Sequence, residues 1–238
     1  MQCVILAGGL GTRMRPRTET VPKSLLEVAG RPFIDHQLAW LAAHGAPDVV
    51  LAVGHLGEKL EAHVGDGARL GVRVRFVSEG DVLRGTAGAL RLAADRGVLE
   101  DEFLVVYGDS YLPIDFGVVA AVFRRSGAPA LMTVFENAGR WDTSNVVFDR
   151  PSARIVVYDK HRTLRPSDEF RFIDYGLSAF RRSTIEREVP PDVRFDLSDV
   201  CRELSVRGEL AGFEVAERFY EIGSPAGMAE LERFLGAS

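Results

Sequence analysis

Residues 7–13 read Ala-Gly-Gly-Leu-Gly-Thr-Arg and directly follow the apolar run Cys3 to Leu6. An apolar run that ends in glycines is a buried strand entering a tight turn, because glycine tolerates backbone angles and close approaches that side chains forbid. Such a turn can point successive amide N–H groups at phosphate oxygens. Lys23 follows twelve residues after Gly11, in Val-Pro-Lys-Ser, and Arg13 and Arg15 stand between them. Arginine makes forked contacts to phosphate and lysine a compact point charge, so this stretch is equipped to hold a triphosphate. Two commoner loops are excluded. A dinucleotide fingerprint needs a third glycine where Met14 stands, and a P-loop needs a glycine immediately before the Lys-Ser pair, where Pro22 stands.

The pattern beyond the loop alternates strand and helix. Pro32 opens a helix in which Phe33, Ile34, Leu38 and Leu41 recur at helical spacing and Gly45 marks the end. Asp48 to Val53 reads as a strand and His55 to Val64 as a short helix. Val72, Val74 and Phe76 alternate with Arg73 and Arg75, which predicts a strand with one polar face. Thr86 to Arg96 reads as a helix and Phe103 to Tyr107 as a strand running into Gly108-Asp109. The second half is richer in strands: Ala130–Phe135, Asn145–Phe148, Ile155–Tyr158 and Leu177–Phe180, with helices at Leu197–Val206 and Pro225–Leu235. This order implies an α/β protein: one Rossmann-like domain over residues 1–238, with a mostly parallel mixed sheet flanked by helices and a strand-rich lid. Residues 1–115 would form a nucleotide-binding half and residues 116–238 the other. Ligands of such sheets sit beyond the carboxyl ends of the strands, where both Gly8–Arg13 and Gly108-Asp109 fall.

Composition narrows the function class. The 238 residues carry 29 basic and 34 acidic side chains, a net charge of −5, which argues against nonspecific nucleic-acid binding. Cys3 and Cys201 both fall on apolar faces and are expected as buried thiols rather than a disulfide. No segment approaches the roughly 18 apolar residues of a membrane span. The N-terminus shows no signal-peptide pattern, so no membrane partner and a cytoplasmic location are expected. The five histidines show no metal-ligand spacing, and no Ser/His/Asp constellation or nucleophile elbow is present.

LAGGLGTRMRP followed by VPKSLLEVAGRPFIDHQL resembles the N-terminus of the sugar-1-phosphate nucleotidyltransferases. Gly85-Thr86-Ala87-Gly88, Gly108-Asp109-Ser110 and Tyr220-Glu221-Ile222-Gly223 extend the resemblance in the expected order over nearly the whole chain. It is nearest in look to small bacterial mannose- or heptose-1-phosphate guanylyltransferases and related uridylyltransferases. The resemblance implies transfer of a nucleotidyl group from an NTP to a sugar 1-phosphate, giving an NDP-sugar and pyrophosphate. Such a reaction brings two anions together, so the catalyst must align them and neutralise charge rather than supply a covalent nucleophile. A Mg²⁺ ion on one or two carboxylates suits it.

Carried onto this sequence, the resemblance makes Asp109 and Glu221 the metal ligands, with Glu221 standing where the family more often has aspartate. Arg13 would grip the leaving pyrophosphate and Lys23 the reacting phosphates, so Arg13, Lys23 and Asp109 are the catalytic candidates. The nucleotide site would use Leu6, Ala7, Gly8, Gly9, Gly11, Thr12, Arg13, Glu79, Gly85 and Thr86, with Thr86 also a candidate cap of its own helix. The sugar phosphate would meet Asn145, Asp159, Lys160, Asp174 and Gly176. Asp115 either faces the sugar or caps the next helix.

Several alternatives stay open at this level. GTP with a manno-configured hexose or heptose 1-phosphate is the leading pair, against UTP or dTTP with a gluco-type or amino-sugar 1-phosphate. A catalytically inactive nucleotide-sugar-binding regulatory subunit is another, because fold does not guarantee activity. A cytidylyltransferase for a non-sugar phosphate such as phosphocholine is a third; it would need an aromatic cage, for which Tyr107, Tyr111, Trp141 and Tyr175 are candidates. No second activity on a C-terminal extension is expected. A homodimer is an open expectation without an argued interface.

Overall fold

The computed structural model describes residues 1–80, 82–137 and 139–236. Its first strands are β1 Gln2–Leu6, the short pair β2 Glu27–Val28 and β3 Arg31–Pro32, β4 Asp48–Val53, β5 Arg73–Ser78, β6 Glu102–Tyr107 and β7 Ser110–Tyr111. They are interleaved with the helices α1 Phe33–Ala43, α2 Gly57–Val64 and α3 Gly85–Asp95. The chain continues through α4 Phe116–Ser126, β8 Ala130–Glu136, β9 Val146–Asp149, β10 Arg154–Tyr158, β11 Phe172–Arg181, α5 Arg182–Glu188 and α6 Leu197–Val206. It closes with β12 Leu210–Val215, β13 Tyr220–Glu221 and α7 Pro225–Gly236.

A nine-stranded sheet in the order β5-β4-β1-β6-β11-β8-β12-β10-β9 runs through the molecule. The β5-β4-β1-β6 end is entirely parallel. Beyond it β11 and β10 run against the other strands, which makes the sheet mixed.

Side chains alternate between the two faces of a strand, so a strand covered by helices on both sides must be apolar throughout. Cys3, Ile5, Val49, Leu51, Leu104 and Val106 bury one face against α1, α2 and α4. Val4, Val50, Ala52, Phe103 and Val105 bury the other against α3, α5 and α6. A third, smaller core lies under α7, where Met14, Leu26, Val28, Phe33, Ile222, Met228 and Leu231 meet. Cys3 and Cys201 are buried free thiols. Among the described residues no helix is long and apolar enough to cross a membrane.

The structure shifts several expected boundaries. Pro32 pairs with Glu27 in the β2–β3 ribbon, so α1 starts one residue later, at Phe33. Leu56 takes a left-handed conformation just before α2, which therefore starts at Gly57 rather than His55. The strand expected at Leu177 extends back to Phe172, because β8 supplies a partner along its length. Periodicity did not reveal α4, α5 or β12. Asp115 proves to be the cap of α4, accepting from Gly117 and Val118 N–H at 2.7 and 3.1 Å.

Candidate functional site

The sheet brings the two glycine-bearing turns side by side, because β1 and β6 are parallel neighbours. Gly108 N–H donates to Leu6 O at 2.9 Å. A Cβ on Gly108 would lie 2.9 Å from that same oxygen and 3.0 Å from Ala7 Cα, so only glycine lets the turns touch. Ser24 Oγ donates to Gly108 O at 2.9 Å, which ties the Pro-Lys segment to the same turn. Beneath it the buried side chain of Gln37, on α1, donates to Tyr107 O at 2.9 Å and Ser110 O at 2.8 Å.

The loop after β1 presents free donors. Met14 N–H closes its turn on Gly11 O, and Thr18 Oγ1 donates to the same oxygen. Among the described residues the amides of Gly9, Leu10, Gly11, Thr12 and Arg13 have no protein acceptor. They border a cavity of about 480 Å³ whose walls include Leu6 to Arg13, Lys23, Glu79, Gly85, Thr86, Tyr107 and Asp109. All the residues expected at the nucleotide site therefore line one cavity.

Across that cavity Gly85 opens α3. It has φ +73°, and a Cβ there would fall 2.6 Å from Phe195 O. The segment before α6 packs that tightly because Ala87 and Gly88 N–H both donate to Phe195 O. Thr86 does not cap its own helix: its hydroxyl accepts from Leu197 N–H at 2.7 Å and thereby caps α6. The same packing brings Arg194 and Asp196 to the cavity wall. No sequence signal marked them, since their place depends on a contact more than a hundred residues away in the chain. Glu79 is buried; one carboxylate oxygen accepts from Arg84 N–H at 2.6 Å. Burial raises its carboxyl above the usual range despite the nearby Arg84.

At the mouth of the cavity Lys23 Nζ and Asp109 Oδ2 are 2.5 Å apart. The β7–β13 pair places Glu221 opposite Ser110, and Ile222 N–H donates to Asp109 O at 2.9 Å. Burial first, and then the charge of Asp109, push the Glu221 carboxyl up to about 7, against the opposing pull of Lys23 and Arg13. Arg13 reaches the same corner, its guanidinium packed against Gly223, where a Cβ would lie 3.1 Å from its Nη2. A hard divalent cation suits two carboxylates near enough to feel each other's charge. Among the described residues no cluster of three or more His, Cys, Asp or Glu exists, so such an ion would complete its shell from water and substrate phosphate.

Asn145, Asp159 and Asp174 lie together at the β9–β10–β11 end. Asn145 Oδ1 accepts from Asp174 N–H at 3.0 Å, and Asp159 N–H donates to Asn145 O at 2.9 Å. Their carboxylates differ sharply. Asp159 is 1% exposed, and its oxygens accept from His161, Thr163 and Leu164 N–H and from Thr163 Oγ1. Although burial opposes it, this set of donors holds the carboxyl at about 2. Asp159 thus folds its own loop, with both carboxylate oxygens engaged by loop donors. Asp174 is pushed up to about 6 by burial, opposed by Gly176 N–H and the charge of Lys160. Gly176, at φ +98°, faces Ser110 and Tyr107.

The four rings considered for a cage do not assemble. Tyr111 packs in the α7 core, Tyr175 is buried against Phe219, Tyr107 lines the nucleotide cavity and Trp141 is 47% exposed elsewhere.

The family model described as nucleotidyl transferase matches residues 2–145. Mannose-1-phosphate guanylyltransferase of Mycobacterium tuberculosis is 29% identical over 245 residues, covering 100% of this chain and 66% of that protein. UTP–glucose-1-phosphate uridylyltransferase of Synechocystis is 32% identical over 139 residues, covering 55% of this chain and 36% of that protein. The chain thus spans no more than about two thirds of the length of these curated relatives. A Bacillus anthracis protein assigned as a glucose-1-phosphate thymidylyltransferase, solved with sucrose, shares the fold. Its TM-score is 0.82 at 22% identity, over 98% of this chain and 94% of that one.

Proposed function

Because the chain belongs to the nucleotidyl transferase family, we propose that it joins the nucleotidyl group of an NTP to a sugar 1-phosphate and releases pyrophosphate. The observation that carries this reading is one convergence. Loop amides without an acceptor among the described residues and the Lys23–Asp109 pair line one cavity, β13 brings Glu221 to Asp109, and Gly176 of the neighbouring strand faces Ser110 and Tyr107.

In this reading the amides of Gly9 to Thr12 hold the triphosphate, and Arg13 holds the leaving pyrophosphate. The base lies between Gly8, Glu79 and the start of α3, where Phe195 O takes the Ala87 and Gly88 N–H groups and those of Gly85 and Thr86 have no acceptor among the described residues. Lys23 moves from Asp109 to the reacting phosphates as they arrive. When bound by Asp109 and Glu221, Mg²⁺ supplies neutralising charge at the α-phosphate. Asn145, Asp174 and Gly176 orient the sugar, and Lys160 meets its phosphate. Aligning two anions in this way lowers the barrier without a covalent intermediate.

The leading substrates are GTP and a manno-configured hexose or heptose 1-phosphate, a choice supported by the mannose-1-phosphate guanylyltransferase relative, which matches along the whole chain. UTP or dTTP with a gluco-type or amino-sugar 1-phosphate is the second reading, favoured by the Synechocystis relative. The test is pyrophosphate release with Mg²⁺ across NTPs and hexose, hexosamine and heptose 1-phosphates. One productive pair is expected. NTP binding without release from any pair would contradict the reading and favour a regulatory subunit.

A further inference from the structure

A second cavity, of about 500 Å³, lies outside the nucleotide site and is walled by two organised loops. The first loop is fixed by Asn137, which is fully buried. Its Nδ2 donates to Asp142 O at 2.5 Å and Ser144 Oγ at 3.2 Å, and its Oδ1 accepts from Trp141 N–H at 3.0 Å. The second loop is the one folded by the Asp159 carboxylate. From it Arg162 donates to Ser167 O at 2.8 Å and lies 5.7 Å from the Phe170 ring centre. Arg162 Nε is buried without a partner among the described residues.

Both walls continue into the reaction site. Ser144 lines the cavity and immediately precedes Asn145 of the acceptor cluster. Trp141 lies 3.6 Å beneath the guanidinium of Arg218, which is also 5.1 Å from the Tyr220 ring, the neighbour of Glu221. The cavity therefore adjoins the cluster proposed to hold the acceptor and shares no lining residue with the nucleotide cavity. Its lining is chemically specific. Arg162 offers guanidinium donors, Thr143 and Ser167 offer hydroxyls, Asp142 a carboxylate, and Trp141 a half-exposed ring on which Arg218 is stacked.

We propose that this cavity is a distal subsite of the acceptor, and that the acceptor carries an oxygen-rich extension there. The extension is a further hydroxylated carbon or a terminal anionic group, beyond what a plain hexose 1-phosphate presents. This rests on the function proposed above and specifies its substrate. A site built to hydrogen-bond a group rejects the analogue that lacks it, because its buried donors are then left unpaired.

The test compares matched acceptors with the productive NTP. They are a hexose 1-phosphate, the same ring lengthened by one hydroxylated carbon, and the same ring oxidised to a terminal carboxylate. One extended acceptor should exceed the plain hexose by about tenfold or more in kcat/KM. That ratio should collapse in Arg162→Ala, and in Ser167→Leu, which narrows the cavity without removing a charge. The chain has only two tryptophans, so in Trp40→Phe the emission reports Trp141 alone. Emission should change saturably with the preferred extended acceptor and not with the plain one. Equal use of all acceptors together with a silent Trp141 would overturn the subsite. If no sugar phosphate is turned over, the functional reading falls by itself. The Trp141 titration then decides the subsite, a response to extended sugar phosphates supporting it and silence refuting it.

Discussion

The two ends of the sheet build their ligand-facing loops by different means. At the β1–β6 end the loops are shaped by backbone. Gly108 packs on Leu6 O, Gly85 packs on Phe195 O, and among the described residues the amides from Gly9 to Arg13 have no protein acceptor. At the β9–β11 end the loops are shaped by buried side chains. The Asp159 carboxylate gathers residues 161–164, and the Asn137 amide gathers residues 141–144. The first device suits a ligand part common to every substrate, a chain of phosphates. The second lets loop shape vary while the strands stay fixed, which suits a part that differs between substrates.

If the ends divide the work in this way, Asp109, where they meet, should matter most. Asp109→Asn is expected to lower pyrophosphate release by about a thousandfold or more, since it removes both a carboxylate for the cation and the partner of Lys23. Turnover within a few-fold of wild type would break the comparison at its centre.

Next in size is Gly108→Ala. The added methyl would meet Leu6 O at 2.9 Å, and overpacking of this kind costs about 1–3 kcal/mol. Nucleotide affinity, read by calorimetry, should fall about tenfold or more, while the Asn145 end remains folded. Unchanged affinity would show that the two turns need not touch.

Asp159→Ala should sharpen the contrast from the other side. Its loop N–H groups lose their acceptor, and a hydrogen bond to a charged group contributes about 1.5–3 kcal/mol. KM for the acceptor should rise while NTP affinity holds. Because the folded carboxyl is held near 2, below its ordinary 3.8, its contribution is complete above 3.8. It is lost as pH falls from 3.8 towards 2. The variant should lose less melting temperature than wild type over that window, the remainder coming from other depressed carboxyls such as Asp35 and Glu136.

The smallest effect is expected at Asp174, whose carboxyl is raised to about 6. The folded state binds this proton more tightly than the unfolded one. Stability therefore declines as pH rises from 3.8 to 6 and stays reduced above it. Asp174→Asn keeps an acceptor for Gly176 N–H and should melt at slightly higher temperature near pH 8, with weaker acceptor binding. A lower melting temperature at that pH would contradict the burial argument.

The same contrast explains what could be read from the sequence. The glycine turns, β1, β4, β6 and the cavity-lining loop residues Leu6–Gly9 and Gly11–Arg13 were legible, because glycine and apolar runs encode local backbone geometry, whereas Ala52 and Leu83 of the same lining carried no signal. Helix α6 was legible from its apolar spacing and Asp109 from the strand that delivers it. Asp159 was visible as an acid at a strand end, but not as a loop organiser, because its partners are set by the path of the loop. Gln37, Arg194 and Asp196 carry no motif. Gln37 matters through carbonyls some seventy residues away, and Arg194 and Asp196 through the packing of residue 195 on α3.

The most direct test of the account is the Mg²⁺ requirement of Glu221→Gln. The claim is that β13 carries Glu221 to Asp109, so that both ends of the sheet close on one shared cation site. With saturating substrates, the free Mg²⁺ giving half-maximal pyrophosphate release should rise about tenfold or more over wild type when one of two anionic ligands is removed. An unchanged requirement, with normal turnover, would place the cation elsewhere and contradict the account.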